Sequence, residues 1–336
     1  MKREGISFAG SLIVDHIKSI ETLPNRSDLV KINSVEYNVG GCVCNTGVDV
    51  KCLDENIKVD AFGVVGNDGD GEFIINELNK YGIITDQIKK RGGTSFTDVF
   101  AETTTGCRTF FQYGGADDLF DIDDVDVSKV SSKIFHLGYF LLMEKLDAKD
   151  SEYGCKGARL LANLQKEGCL TSIDTISENS DRFKKVLIPA LKYVDYLFIN
   201  ELEASRITDI PLEVVDNKID EVKVKQVLSK LLEMGVGKRV IIHASCGAYG
   251  MDKSGEYEFE PSRKLPKGYI VGTVGAGDAF CAGALVASYR DLPLKDCLLY
   301  GNASAMMALT TASATGGVIK VEKALEIYKT YPSVLD

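Results

Sequence analysis

From residue 120 onward, short apolar or β-branched runs alternate with amphipathic stretches of helical period. That order constrains the fold more than any other feature. Strands running in one direction need long crossovers to return, and an amphipathic helix is the crossover that buries its apolar face on the sheet. The strands expected are Lys133–Phe140, Cys169–Asp174, Tyr196–Asn200 and Arg239–His243. Between them, Gly154–Lys166, Arg182–Lys192 and Lys223–Met234 repeat apolar residues at three and four, as helices do. The fold class expected is α/β: a doubly wound, mostly parallel sheet with helices on both faces.

The first third reads differently. Ile17–Tyr37 and Thr94–Tyr113 are alternating segments rich in Thr and aromatics, with no helix between their strands. The second is expected to be a hairpin turning at Thr105-Gly106. Separated by helices at Val43–Cys52 and Gly71–Tyr81, the two pieces can meet as a small β-sheet, a lid of about 17–37 and 94–113 over one edge of the core. No repeat or Pro/Gly/Ser linker divides the 336 residues, so 1–336 is read as one α/β domain.

Charge and thiols narrow the function. With 39 Lys+Arg against 49 Asp+Glu the net charge is -10, which repels nucleic acid and anionic lipid alike. Nine cysteines scattered singly, with three histidines, read as reduced thiols of a cytoplasmic protein, and the close pair Cys42 and Cys44 lacks further ligands for a zinc site. Lys2 and Arg3 ahead of Gly5–Val14 superficially resemble a signal peptide. Ser7, Gly10 and Ser11 interrupt that run and it leads into Asp15 and His16, so a buried first strand explains it better. No apolar run is long enough to span a bilayer.

Chemistry concentrates in Gly272-Thr273-Val274-Gly275-Ala276-Gly277-Asp278, which opens an apolar helix through Tyr289. A glycine-rich loop at a helix N-terminus turns backbone N–H groups toward an anion, and helix potential favours negative charge there. Asp278 beside it is expected to stay ionised and to accept a proton from a substrate hydroxyl. A glycine turn capped by Asp is the plain alternative. Early in the chain, Gly40, Gly41 and Asn45 open a second helix. Paired glycines admit close backbone approach to a polyol, and Asn45 offers both donor and acceptor to vicinal hydroxyls.

In the order and spacing of these motifs, the whole chain resembles the ribokinase-like (PfkB) family of carbohydrate kinases. The early G-G-x-x-x-N is Gly40, Gly41 and Asn45, and the late G-A-G-D is Gly275–Asp278. Gly63–Ile83 resembles the family's G-x-V-G-x-D-x-x-G segment, and the stretch from Asn200 its N-x-x-E. The resemblance implies an ATP-dependent kinase acting on a hydroxyl of a sugar or sugar-like molecule. Asp278 matches the catalytic base, and the amides of Gly275, Ala276 and Gly277 the anion hole. Asp15, with Gly40, Gly41 and Asn45, matches the sugar site. Asn200 and Glu203 match residues that organise Mg²⁺ through water, while Thr273 and Asn302 fall on the nucleotide side. Free lid edges suit a homodimer.

Three departures bear on specificity. Gly272 stands where the family usually has an Asp that helps ligate a monovalent cation, and Ile13 where ribokinases carry a sugar-binding Asn. His243 and Ser245 replace the Thr and Gly of a nucleotide-contacting turn, and His243, at a strand end, reads as a core histidine. Rival folds fit poorly. The chain after Gly10 lacks the G-x-G-x-x-G of a dinucleotide fold, and Gly237-Lys238 is followed by Arg239 rather than the Ser or Thr of a P-loop. A non-catalytic sugar- or nucleotide-binding regulator of the same fold is the remaining alternative, along with a nucleoside kinase.

Overall fold

The apolar stretch after Arg3 is a strand, β1 (Ile6–Ala9), buried at all four residues. A mostly apolar run, broken here only by the small Ser7, suits a strand sealed on both faces, as in the middle of a helix-covered parallel sheet. The computed structural model describes residues 3–177 and 180–336. It continues with β2 (Ile13–Ile20), β3 (Ile32–Gly40), β4 (Val59–Val65), β5 (Ile84–Lys90), β6 (Ser95–Glu102), β7 (Arg108–Tyr113) and β8 (Ile134–Phe140). After a short ribbon, β9 (Lys149–Asp150) and β10 (Gly154–Cys155), come β11 (Leu170–Thr175), β12 (Tyr196–Asn200), β13 (Arg239–Ala244), β14 (Gly247–Asp252) and β15 (Tyr257–Pro261).

The large sheet has nine strands in the order β15-β14-β13-β12-β11-β8-β1-β4-β5. From β5 to β13 every neighbouring pair is parallel, and β14 and β15 close the far edge antiparallel. The chain runs outward from β1 to β4 and β5, then crosses to β8 on β1's other side. Beyond the carboxyl ends of β1 and β8 the crossovers diverge, and that crevice is where open α/β sheets bind ligands. Along β4 the side chains sort by parity. Phe62 and Val64 join one core cluster with helices Lys156–Lys166 and Glu221–Glu233, while Ala61 and Val65 join the other with helices Cys42–Leu53 and Ala276–Tyr289.

A separate four-stranded sheet has the order β3-β2-β6-β7. β2 pairs with β3 antiparallel and with β6 parallel, and β6–β7 form the hairpin expected at Thr105-Gly106. Two expectations change. Arg182–Lys192 is not a regular helix: Phe183–Leu187 is a π-turn, followed by the short helix Ile188–Ala190 and a 3₁₀ turn. Pro189 lacks the N–H that a continuous helix would use. The helix expected from Gly154 begins at Lys156, where the Cys155 Sγ accepts from the Ala158 N–H.

Candidate active site

The helix Ala276–Tyr289 starts at Gly275, which sits in the left-handed region at φ 78°. A β-carbon there would lie 2.3 Å from the Ala314 carbonyl oxygen and 2.8 Å from its Cα. Only glycine lets this loop close against residue 314, and the first-turn amides of Ala276 and Gly277 then open the helix with their N–H groups unspent on side-chain caps. Asp278, one residue further, is buried. Its Oδ2 accepts from the Asn45 amide at 3.0 Å and from the Tyr139 hydroxyl at 3.0 Å.

Two cavities adjoin this loop. The larger, about 580 Å³, is lined by Thr273, Ala276, Gly277, Phe280 and Asn302 among others. The smaller, about 340 Å³, is lined by Tyr139, Asp174, Asn200, Glu203 and Asp278. His243 and Gly277 belong to both walls, so the two spaces meet there. Asp278, next in sequence to the shared Gly277, lines the smaller cavity close to where the two spaces meet.

The charge state of Asp278 differs from the expectation. Helix amides were expected to keep it ionised, but burial, and after it the neighbouring Asp174 carboxylate, push its pKa up to about 7. The amides aid an anion in front of the loop, while the carboxyl itself has lost water. At neutral pH it is half ionised, which is where a general base is most effective.

Asn45 makes a contact that the sequence did not foretell. Its amide, expected to serve a polyol directly, donates to Asp278, while its Oδ1 is buried without a described protein partner. That oxygen can still accept a hydrogen bond from a ligand hydroxyl. Asn45 reaches Asp278 because Gly41, at φ 83°, starts the helix Cys42–Leu53 immediately after β3. Asp15 lies on β2 beside Gly40, where a β-carbon would meet its Oδ2 at 2.9 Å. Burial raises the pKa of Asp15 to about 6. Asp15 and Gly40 line neither cavity, and they make a polar corner at the foot of the second sheet, with Ile13 packed against Gly40.

Asn200 and Glu203 do form a helix cap. The Asn200 Oδ1 accepts from the Glu203 N–H at 2.8 Å, and Glu203 Oε2 accepts from the Asn200 N–H at 3.0 Å. Ser177 donates to Glu203 Oε1 at 2.8 Å, and burial lifts the Glu203 pKa to about 7. Both also line the smaller cavity, so capping and cavity roles coincide. Asn302 gives its amide to the Glu260 carbonyl at 2.8 Å while lining the larger cavity. His243 packs on Phe280 at 4.9 Å, and burial depresses its pKa to about 4, so it is neutral.

Tyr139, Asp174 and Asp117 escaped the sequence reading. Asp117 is buried, accepts from Ser11 Oγ at 2.6 Å and from the Leu12 N–H at 3.0 Å, and is pushed by burial to about 7. Asp117 follows Gly114-Gly115-Ala116 and Tyr139 follows Gly138, glycines that could have drawn notice, but it is the topology that brings the three to the crevice.

The pfkB family carbohydrate kinase profile matches residues 4–320. The chain belongs to this family. Among its relatives, a nucleoside kinase of Methanocaldococcus jannaschii is 22% identical over 97% of both chains. A 5-dehydro-2-deoxygluconokinase of Clostridium perfringens is 26% identical over 91% of this chain and 89% of its own. The solved structure of Arabidopsis thaliana ribokinase complexed with ribose and ATP superposes with a TM-score of 0.80 at 21% identity, covering 97% of this chain and 99% of that one. The PfkB fold and the kinase class thus agree with the sequence motifs.

Proposed function

We propose that this PfkB kinase transfers the γ-phosphoryl group of ATP to a hydroxyl of a sugar or sugar-like molecule, with Asp278 as general base. One observation carries the assignment: a buried carboxyl, poised near pKa 7, stands directly beside a helix-opening glycine loop at the junction of two cavities. ATP fits the larger cavity with Thr273 and Asn302 on its wall. The space a β-carbon at Gly275 would fill belongs to loop closure; the Ala276 N–H closes the turn onto the Thr273 carbonyl at 3.3 Å, and the Gly275 and Gly277 amides are the ones left to face the transferring charge. The acceptor fits between Asp278 and the Asp15–Gly40–Gly41–Asn45 corner, where the unpartnered Asn45 Oδ1 awaits a hydroxyl.

In this reading Asp278 takes the acceptor proton as the oxygen attacks the γ-phosphorus, and the loop amides stabilise charge on the transferring group. Catalysis is mainly positioning and exclusion of water. The all-oxygen set around Asn200 and Glu203 suits a hydrated Mg²⁺, with Glu203's two oxygens already engaged by Ser177 and Asn200, so contact through water fits better than direct ligation. Bound there, the ion would neutralise phosphate charge.

The second sheet reads as a lid over the acceptor corner. Its exposed apolar side chains, Val35, Tyr37, Phe110 and Phe111, support pairing of two copies as a homodimer. No helix among the described residues is long and apolar enough to cross a membrane, and a cytoplasmic location fits the nine unpaired thiols. A panel of sugars, sugar acids and nucleosides, scored by ADP release with the wild type and Asp278→Asn, tests the whole reading. Acceptor-dependent release that survives the substitution would overturn it.

A further inference from the structure

Backbone strain marks the end of β8. Tyr139 has φ 55° and Leu141 has φ 85°, and side chains other than glycine and asparagine rarely occupy this region except where the surroundings over-determine it. What over-determines Tyr139 is a pair of carboxylates. Its backbone N–H donates to Asp174 Oδ1, and its hydroxyl donates to Asp278 Oδ2 at 3.0 Å. The Asn45 amide occupies the same Oδ2, also at 3.0 Å. No described group donates to Asp278 Oδ1, and that oxygen is not sealed among the buried, partnerless atoms.

We propose that Tyr139 is a positioning residue for phosphoryl transfer: with Asn45 it fills Oδ2 of Asp278 and so leaves Oδ1 as the atom that receives the acceptor proton. The proposal rests on Asp278 being the base. The step balances simply. The acceptor O–H bond breaks, its proton goes to Oδ1, the freed electron pair forms the new O–P bond, and the bond from γ-phosphorus to the β-phosphate bridge oxygen breaks. The protonated carboxyl keeps Oδ2 as a carbonyl-type acceptor, so both donors stay in place through the reaction. Tyr139 keeps its own proton, because burial, and then the Asp278 charge, hold its phenol far above the usual range.

Free rotation of the carboxyl would otherwise let either oxygen face the acceptor. Two donors on one oxygen remove that freedom, and the strained φ of Tyr139 aims its ring at Asp278 instead of along the strand. The titratable groups described around Asp278 are Asp174, Asp49, Cys42, Cys281, His243 and Tyr139, with Glu203 across the same cavity. Among the described groups, Tyr139 is the titratable one that donates a hydrogen bond to it.

Tyr139→Phe keeps the ring and removes the donor. Turnover should fall about 10-fold or more, as for loss of a hydrogen bond to a charged group, with the KM for ATP within about twofold. The acidic limb of kcat/KM should move to higher pH, because the lost bond favours the ionised carboxylate. A merely structural role would move the thermal midpoint and leave that limb in place. If Tyr139→Phe is too unstable to assay, 3-fluorotyrosine at 139, a stronger donor, should move the limb to lower pH. Normal turnover and an unmoved limb in Tyr139→Phe, while Asp278→Asn is inactive, would overturn this proposal and leave the base assignment standing. Near-normal turnover of Asp278→Asn would overturn the base assignment itself.

Discussion

Replacing Asp278 with Asn should abolish most turnover and, increasingly as pH rises above about 4, make the fold more stable. The folded pKa is raised from 3.8 to about 7. Between those values the native state holds a proton that the unfolded chain releases, so stability falls as pH rises through this window and is unaffected below it. Integrating, the wild type loses about 2 kcal/mol by pH 5 and about 4 kcal/mol by pH 8 relative to a permanently neutral group. Asn is that neutral group. Its carbonyl oxygen can keep both donors, Asn45 and Tyr139, and its NH₂ faces the Oδ1 side. Unfolding entropy near 2.1 cal/mol/K per residue gives about 0.7 kcal/mol/K for this chain, so the midpoint should rise about 3 °C at pH 5 and about 6 °C at pH 8. Thermal unfolding of both proteins without ligand, at the two pH values, measures this directly. An equal gain at both, or a loss at pH 8, would refute the placement of Asp278 as a desolvated carboxyl.

The same ionisation should govern rate: kcat/KM for the acceptor should rise about tenfold from pH 6 to pH 8 and level off above pH 7, and a flat profile in steady-state assays would count against Asp278 as base. Gly275→Ala sets a β-carbon 2.3 Å from the Ala314 oxygen at a positive φ; kcat/KM for ATP should drop at least about tenfold, and near-normal kinetics would show the loop is not closed as described. Gly272 lacks a carboxylate, and a β-carbon there would already meet the Thr311 carbonyl at 2.7 Å. Potassium should therefore stimulate weakly or not at all, which strong activation over a large organic cation would contradict. With Ile13 packed beside Asp15 and Gly40, ribose should trail other acceptors in the panel by roughly 10-fold, since one hydroxyl meets an apolar wall.

Much of the core was legible because its signals are local. Strands Lys133–Phe140 and Tyr196–Asn200 declare themselves as apolar runs between amphipathic stretches, and β12 matches its expected bounds. The hairpin at Gly106 follows from alternation and a turn residue. The edge strands β14 and β15 were not called, since their short, mixed sequences carry neither period clearly. Arg182–Lys192 repeats apolar residues like a helix, yet Pro189 and the packing around it break it into turns. In the site, glycine spacing exposed Gly275 and Gly41, whose backbones demand glycine. Tyr139 and Asp174 were invisible because their role depends on β8 and β11 lying side by side, which sequence spacing does not encode. The charge of Asp278 was misread because helix potential is a sequence-level cue, whereas burial is known only from the packed fold.

The place of β1 in the large sheet has a temporal consequence. This N-terminal strand is flanked by β4 and by β8, whose residues begin at Ile134. During synthesis β1 waits for its second neighbour while residues 10–140 are made, roughly 7 to 26 s at ordinary elongation rates. Until then this mostly apolar strand has one hydrogen-bonding edge unmet, and the sheet on that side is a surface that chaperones or other nascent chains can reach. Pairing across a long sequence gap thus delays enclosure of the earliest segment of the chain until β8 has been made.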